Sequence, residues 1–316
     1  MIDGTLLRLD NVYKHFHLPG NQILWAVNGV SFKLNAGECL AVVGESGCGK
    51  STLARMIARV EPISEGTIYF DKESINLFRG RELRALRRKM QIIFQDPISV
   101  FSPRMKIGEF LREPFINYGI LSKKGAREKA REILEDVGLS ADYLERFPHQ
   151  LSGGELQRVA ITRAMALNPL LLICDEPTSA LDVSIQKRII DLLYNLRLDS
   201  GVAMLFISHD LAVVNHFSDR IMVMYLGYVM EEMPSSHLSS VARHPYTKAL
   251  LQAAFSITKE RDKMIVPLSG ETPSAINLPP GCPFRQRCTA AKELCSQDIP
   301  PLREVGPGHF VACHNA

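Results

Sequence analysis

Apolar positions along the chain fall into two kinds of run that alternate. Short continuous runs, rich in Val, Ile and Leu, have the length of buried strands: Glu38–Val43, Thr67–Phe70, Met90–Phe94, Leu170–Cys174, Ala203–Ile207 and Arg220–Met224. Stretches with helical spacing follow several of them, at Ser51–Arg59, Val183–Leu198 and Leu211–Phe217. Strands alternating with helices predict an α/β fold around a mostly parallel sheet covered on both faces. Between Phe94 and Leu170 no strand pattern appears; Ile107–Tyr118, Lys124–Val137 and Gly154–Leu167 read as helices, so an inserted all-helical subdomain is expected over residues 96–168. His244–Ala254 predicts a last helix, after which residues 268–284 are rich in Pro, Gly and Ser and read as a linker. The expected division is a core domain over 1–255 and a tail over 256–316.

Composition narrows the picture by exclusion. A net charge of +3 is too small to make nucleic acid or an anionic membrane the main partner. The basic stretch Arg79–Lys89 carries Leu83 and Leu86 as a short apolar stripe and no interleaved aromatics, so it reads as a solvated helix and no nucleic acid is expected. No apolar run approaches the length of a membrane span, and the start MIDGTLLRLDNV lacks a signal pattern. The expectation is a cytosolic chain that serves any membrane process by docking onto other subunits. Of seven cysteines, Cys39, Cys48 and Cys174 are scattered, whereas Cys282, Cys288, Cys295 and Cys313 crowd the tail. In a reducing compartment that crowding points to metal before disulfides.

Three strings carry chemistry. Gly44-Glu45-Ser46-Gly47-Cys48-Gly49-Lys50-Ser51, followed by Thr52, fits the phosphate-binding pattern G-x4-G-K-[ST] and sits between an apolar strand and a helix. Glycines let successive N–H groups curl around phosphates, and the helix N-terminus adds positive potential. Lys50 would neutralise the β- and γ-phosphates of ATP, and the Ser51 hydroxyl would ligate Mg²⁺. The bland reading, a Gly-rich turn with an incidental lysine, ignores the strand–helix context. Leu170–Cys174 ends in Asp175 and Glu176: the first suits Mg²⁺, the second orients or deprotonates an attacking water. A strand ending in acids is weak alone and gains weight beside the phosphate loop. Leu151-Ser152-Gly153-Gly154-Glu155-Leu156-Gln157-Arg158 opens a helix and forms a second anion cradle. A capped helix start would explain Ser152 and one glycine. Two cradles for one nucleotide suggest a head-to-tail dimer, with ATP between the loop of one subunit and Ser152, Gly153, Gly154 and Glu155 of the other.

The Leu151–Arg158 string resembles the signature of ABC ATPases, and further elements occur in that family's order. Gln95 in IIFQDP resembles the glutamine that senses Mg²⁺ and water; Ser179–Asp182 resembles the loop that communicates across the dimer, with Asp182 at its end; His209 in FISHDL resembles the histidine that contacts the γ-phosphate. The resemblance implies Glu176, His209 and Gln95 as catalytic residues and Ser51, Gln95 and Asp175 as the Mg²⁺ set. It also implies an aromatic that stacks on adenine, for which Phe16 is the choice and Tyr13 the alternative.

The tail narrows the resemblance. HPYTKALL, LSGETPSAINLPPGCPFRQRC and HFVAC are similar to the C-terminal region of oligopeptide/dipeptide ABC import ATPases. The cysteine spacing C-x5-C-x6-C-x17-C lacks the close pairs of zinc ribbons, and four thiolates suit a [4Fe–4S] cluster as well as zinc. The family tail implies an iron–sulfur cluster on Cys282, Cys288, Cys295 and Cys313; a Zn²⁺ site on the same thiolates, or cysteines as small core residues, are the alternatives. The implied whole is a peripheral subunit on the cytoplasmic face of the membrane. Its partners would be a second, non-identical ABC ATPase, two transmembrane permeases and an extracytoplasmic solute-binding protein, with di- or oligopeptides as cargo. Glutathione, sugars or metal chelates are other cargoes of such relatives. A soluble ABC ATPase acting on ribosomes or DNA commonly carries two cassettes or a long coiled coil, and a P-loop kinase or GTPase has no use for the second cradle.

Overall fold

A computed structural model of the chain describes residues 4–255, 272–276, 278 and 280–316. The expected boundary at 255/256 and the start of the expected linker lie outside the described residues. In chain order the elements are β1 (Thr5–Leu18), β2 (Gln22–Asn35), β3 (Cys39–Val43), α1 (Lys50–Ile57), β4 (Glu65–Phe70), β5 (Glu73–Ser74), α2 (Gly80–Lys89) and β6 (Met90–Ile93). There follow α3 (Ile107–Asn117), α4 (Lys123–Glu135), α5 (Gly153–Met165), β7 (Leu171–Asp175), α6 (Val183–Ser200), β8 (Ala203–Ser208), α7 (Leu211–Phe217), β9 (Arg220–Tyr225) and β10 (Tyr228–Pro234). The last are α8 (Leu238–Val241), α9 (Pro245–Phe255), α10 (Leu294–Gln297), β11 (Arg303–Gly306) and β12 (His309–Val311).

The chain forms two compact units, Met1–Leu77 with Phe206–Ala316, and Phe78–Leu205. Compactness thus cuts it at other places than 255/256, and the described tail belongs with the first unit. In that unit β3 runs parallel to β9, while β9–β10, β10–β12 and β11–β12 pair antiparallel, so the sheet is mixed. All five residues of β3 are buried, which explains its unbroken apolar run. A separate sheet, in the order β2-β1-β4-β5, is built on the 14-residue strands β1 and β2. Repeated register shifts along the β1–β2 pair interrupt the alternation a strand normally shows in sequence.

In the second unit β6 and β7 pair in parallel, and among the described residues between them only helical segments occur. Ile107, Phe110 and Leu111 on α3 and Ala126, Ala130 and Leu134 on α4 repeat at helical spacing and are buried. All of these but Ala126 join Phe101, Val137, Leu139, Leu156 and Val159 in a core of their own.

The tail is tied to the first unit by a buried carboxylate. Glu231 on β10 is fully buried and accepts from His309 Nε2 on β12 at 2.7 Å, from Arg243 N–H at 2.7 Å and from His244 N–H at 3.1 Å. His244, 1% exposed, caps α9 by accepting the Tyr246 N–H at its Nδ1, 3.0 Å away. Behind it Tyr225, Tyr246 and Phe284 pack with ring centroids 4.8–5.3 Å apart, joining β9, α9 and the tail. Among the described residues no helix is long and apolar enough to cross a membrane.

Burial pushes the His244 imidazole down from 6.5 to about 4. The unfolded chain therefore takes up this proton near pH 6.5 while the folded chain resists until about 4, so stability present above 6.5 is lost as pH falls through that window. His244→Asn keeps a capping acceptor without the titration. The difference in unfolding free energy between parent and variant should narrow by about 3 kcal/mol from neutral pH to pH 4, read by denaturant unfolding.

Candidate functional site

The residues of the phosphate-loop string form a turn between β3 and α1. Lys50 is 4% exposed, and its Nζ donates to the carbonyls of Gly44 at 2.8 Å and Glu45 at 2.9 Å, so the ammonium is held within its own loop. The Cys48 N–H donates to the Glu45 carbonyl at 3.3 Å, and the Gly227 N–H to the Cys48 carbonyl at 2.9 Å. Gly49 has φ +103° and packs so closely that a Cβ would lie 2.1 Å from the Ala26 carbonyl oxygen. Only glycine fits there. Ser46 and Gly47 face solvent, Ser51 and Thr52 are half-buried, and burial pushes the Cys48 thiol above its ordinary value, which keeps it protonated. In the same unit His209 is exposed just beyond β8. Phe16 lies half-buried on β1 with the Lys14 ammonium 4.6 Å from its ring centroid, whereas the Tyr13 hydroxyl packs against Gly29.

The second unit brings together two of the acids and amides singled out above. Gln95 Nε2 donates to Glu176 Oε2 at 3.1 Å. Glu176 itself has φ +47°, a left-handed conformation that a non-glycine residue adopts at a cost of about 1–3 kcal/mol and that recurs at functional sites. Asp175, one residue earlier at the end of β7, is 1% exposed.

Ser152 caps α5 in a reciprocal box: its Oγ accepts from the Glu155 N–H at 3.4 Å, and Glu155 Oε2 accepts from the Ser152 N–H at 2.7 Å. The Tyr143 hydroxyl donates to the other carboxylate oxygen and, with the Ser152 bonds, holds the Glu155 carboxyl below its ordinary value. Gly154 is buried against α6, where a Cβ would meet Ile185 Cγ2 at 2.5 Å; at Gly153 a Cβ would sit 3.4 Å from Leu181 Cδ2, an ordinary contact. Part of the signature is therefore explained by the chain's own packing. Ser152 and Gly153 remain exposed, and so does Asp182 at the start of α6.

In the tail the four cysteines gather in one neighbourhood as free thiols. Burial pushes the Cys282 thiol up to about 11, with a smaller push from Cys295, Cys288 and Cys313. The Cys282 N–H donates to the Cys295 carbonyl at 2.8 Å. Sulfurs receive backbone N–H groups: Lys292 to Cys295 at 3.5 Å, Asn315 to Cys313 at 3.4 Å, Phe284 to Cys282 and Ala290 to Cys288. Among the described residues no three His, Cys, Asp or Glu side chains converge as a single bound ion requires.

No motif points to the residues around Glu45. Tyr246, Thr272 and Arg287 all touch it, from positions 201, 227 and 242 residues further along the chain.

A glycine-turned loop ending on a buried lysine at the head of a helix, joined in one chain to the Ser152-capped signature helix, marks a P-loop ATPase of the ABC type. A family profile described as ABC transporter matches residues 27–179, and one described as oligopeptide/dipeptide transporter, C-terminal region, matches residues 230–295. The chain is 44% identical over 319 residues to the probable peptide ABC transporter ATP-binding protein y4tS of Sinorhizobium fredii, covering 99% of this chain and 90% of that one. It is 47% identical over 295 residues to the oligopeptide transport ATP-binding protein OppF of Haemophilus influenzae, covering 92% and 89%. Among solved structures, the ATP-binding cassette MJ0796, in a dimeric post-hydrolysis state bound to ADP and Pi, superposes with a TM-score of 0.67 at 33% identity, over 73% of this chain and 99% of that one. The chain belongs to the ATP-binding subunits of the oligopeptide/dipeptide ABC transporter family.

The packing separates the two signature glycines. Gly154→Ala should destabilise the protein by about 1–3 kcal/mol through overpacking, while Gly153→Ala should leave the unfolding free energy within about 0.5 kcal/mol of the parent's. Chemical unfolding of both variants checks it.

Proposed function

We propose that this ATPase powers uptake of di- or oligopeptides through two membrane permeases, from the cytoplasmic face of the membrane and paired with a second ABC ATPase. The observation that carries the reading is the joining, in one chain, of the phosphate loop, the signature and the tail shared with peptide-transport relatives across nearly their whole length. An extracytoplasmic solute-binding protein would deliver the cargo, and nucleic acid has no part.

In this reading Gly44–Thr52 cradle the triphosphate and Lys50 exchanges its own loop carbonyls for phosphate oxygens. Phe16 stacks on adenine, with Tyr13 as the alternative. Glu176 takes a proton from the attacking water, Gln95 orients it through the contact already present between their side chains, and His209 contacts the γ-phosphate. Ser51, Gln95 and Asp175 offer hard oxygens suited to Mg²⁺, which neutralises phosphate charge when bound. Ser152, Gly153, Gly154 and Glu155 of a neighbouring ATPase close over the nucleotide, and Asp182 relays between the two. The dimeric state of the MJ0796 cassette supports that arrangement.

For the tail, the proposal is a structural [4Fe–4S] cluster on Cys282, Cys288, Cys295 and Cys313. Four thiols share one neighbourhood and each sulfur faces a backbone N–H, the outer-shell pattern that thiolates on iron call for. A cuboidal cluster is wider than one ion, so its sulfurs need not converge as zinc ligands do.

Glu176→Gln should keep ATP affinity while slowing turnover by at least about a hundredfold and trapping the closed pair. ATPase assays with gel filtration of the complex purified from membranes check this; undiminished turnover rules out the assigned base. The co-purifying permeases, and stimulation by binding protein loaded with peptide against glutathione or sugar, decide the cargo. Anaerobically purified protein should be brown with about four irons per chain, whereas colourless protein carrying zinc would overturn the cluster.

A further inference from the structure

The cysteine-bearing tail reaches the phosphate loop itself. Arg287 lies immediately before Cys288, and its side chain is 5% exposed. Its Nη1 donates to Glu45 Oε2 at 2.7 Å and its Nη2 to Glu45 Oε1 at 3.0 Å, a two-pronged pair. Thr272 Oγ1 donates to the same Oε2 at 2.8 Å. Nη1 is also 3.3 Å from Thr272 Oγ1 and 3.4 Å from the Tyr225 hydroxyl. The Glu45 backbone is fixed as well: its N–H donates to the Tyr246 hydroxyl at 2.9 Å, and its carbonyl accepts Lys50 Nζ at 2.9 Å. The first residue after Gly44 is thus pinned through its side chain by the tail, through its N–H by α9 and through its carbonyl by the phosphate-binding lysine.

A carboxylate at this point of a phosphate loop is a liability, because it repels the polyanion the loop is shaped to hold. Burial opposes its ionisation, yet the Arg287 and Thr272 hydrogen bonds outweigh burial and keep the Glu45 carboxyl below its ordinary value, so it is charged. The two-pronged guanidinium cancels that charge and fixes the direction in which the loop leaves β3. No glycine-loop pattern requires an arginine from the far end of the chain.

We propose that Arg287 is a positioning residue for ATP: it neutralises Glu45 and sets the phosphate loop, so the tail takes part in nucleotide binding. The proposal rests on the reading of Gly44–Thr52 as the phosphate cradle. Removing the guanidinium leaves a partly buried, unpaired carboxylate beside the phosphates, and the damage comes from that charge rather than from lost packing.

The test uses the full transporter complex, with ATP KM and kcat measured for Arg287→Met, Arg287→Lys, Glu45→Gln and the double variant Arg287→Met/Glu45→Gln. Arg287→Met should raise KM about tenfold with kcat changed by less than about threefold. Its KM should fall back toward the parent's as pH is lowered and Glu45 takes up a proton. The double variant should recover most of the lost affinity, and Arg287→Lys should lie between parent and Arg287→Met. If the double variant is as weak as Arg287→Met, or if Arg287→Met binds ATP as the parent does, the pair is only structural and the proposal falls. Should Arg287→Met not assemble, the double variant and Arg287→Lys carry the same comparison. Lys50→Ala separates the underlying reading: unchanged ATP affinity there removes the cradle itself, whatever Arg287 does.

Discussion

A charge taken out of water must be answered within the protein, and the first unit is organised around that constraint. Glu231, Arg287 and Lys50 are all buried, and each is satisfied by groups distant in sequence or drawn from a loop whose shape it sets. Glu231 collects donors from β12 and from the start of α9; Arg287 collects the carboxylate of the phosphate loop; Lys50 collects two carbonyls of its own turn. Breaking any of these would leave an uncompensated partner in low dielectric, a larger loss than most single apolar contacts supply.

The same residues show how binding surfaces and packing share a motif. In the signature, Glu155 is spent on capping and on Tyr143, and Gly154 on the approach of Ile185. Ser152 and Gly153 are the exposed members of the string. At the end of β7 the division is different. Asp175 is sealed in, while Glu176 is half-buried, has a left-handed backbone and accepts from Gln95. Strain at that one residue is sustained by the strand behind it, all five of whose residues are buried.

Much of this was legible in the sequence because it is local. The run before Gly44, the run before Asp175 and the helices at Ile107, Lys123 and Gly153 appear within a residue or two of their expected places. Each is set by its own apolar spacing. Other parts depend on partners far along the chain. Strand β1 reads poorly because its pairing with β2 shifts register between Leu9 and Val12 and again between Val12, Lys14 and His15, which breaks period two. The strands β11 and β12 are only 4 and 3 residues long and flank a Gly-Pro-Gly turn, so they look like loop. The bond from Arg287 to Glu45 spans 242 positions and has no sequence signature. Irregular cysteine spacing has the same origin, since the sulfurs come from separate turns that meet only after folding.

One consequence concerns the rim of the mixed sheet. β12 lies along β10, and β11, carrying Arg303 and Glu304, stands outermost in the strand order. Without β12 the backbone of β10 at Glu231 and Glu232 would be left unpaired on that side, as the exposed edge of a sheet is. A brief, charged outer ribbon ends the hydrogen-bond ladder where a long flat one would extend it. The tail thus closes that stretch of the sheet rim with its own backbone, whatever its cysteines bind.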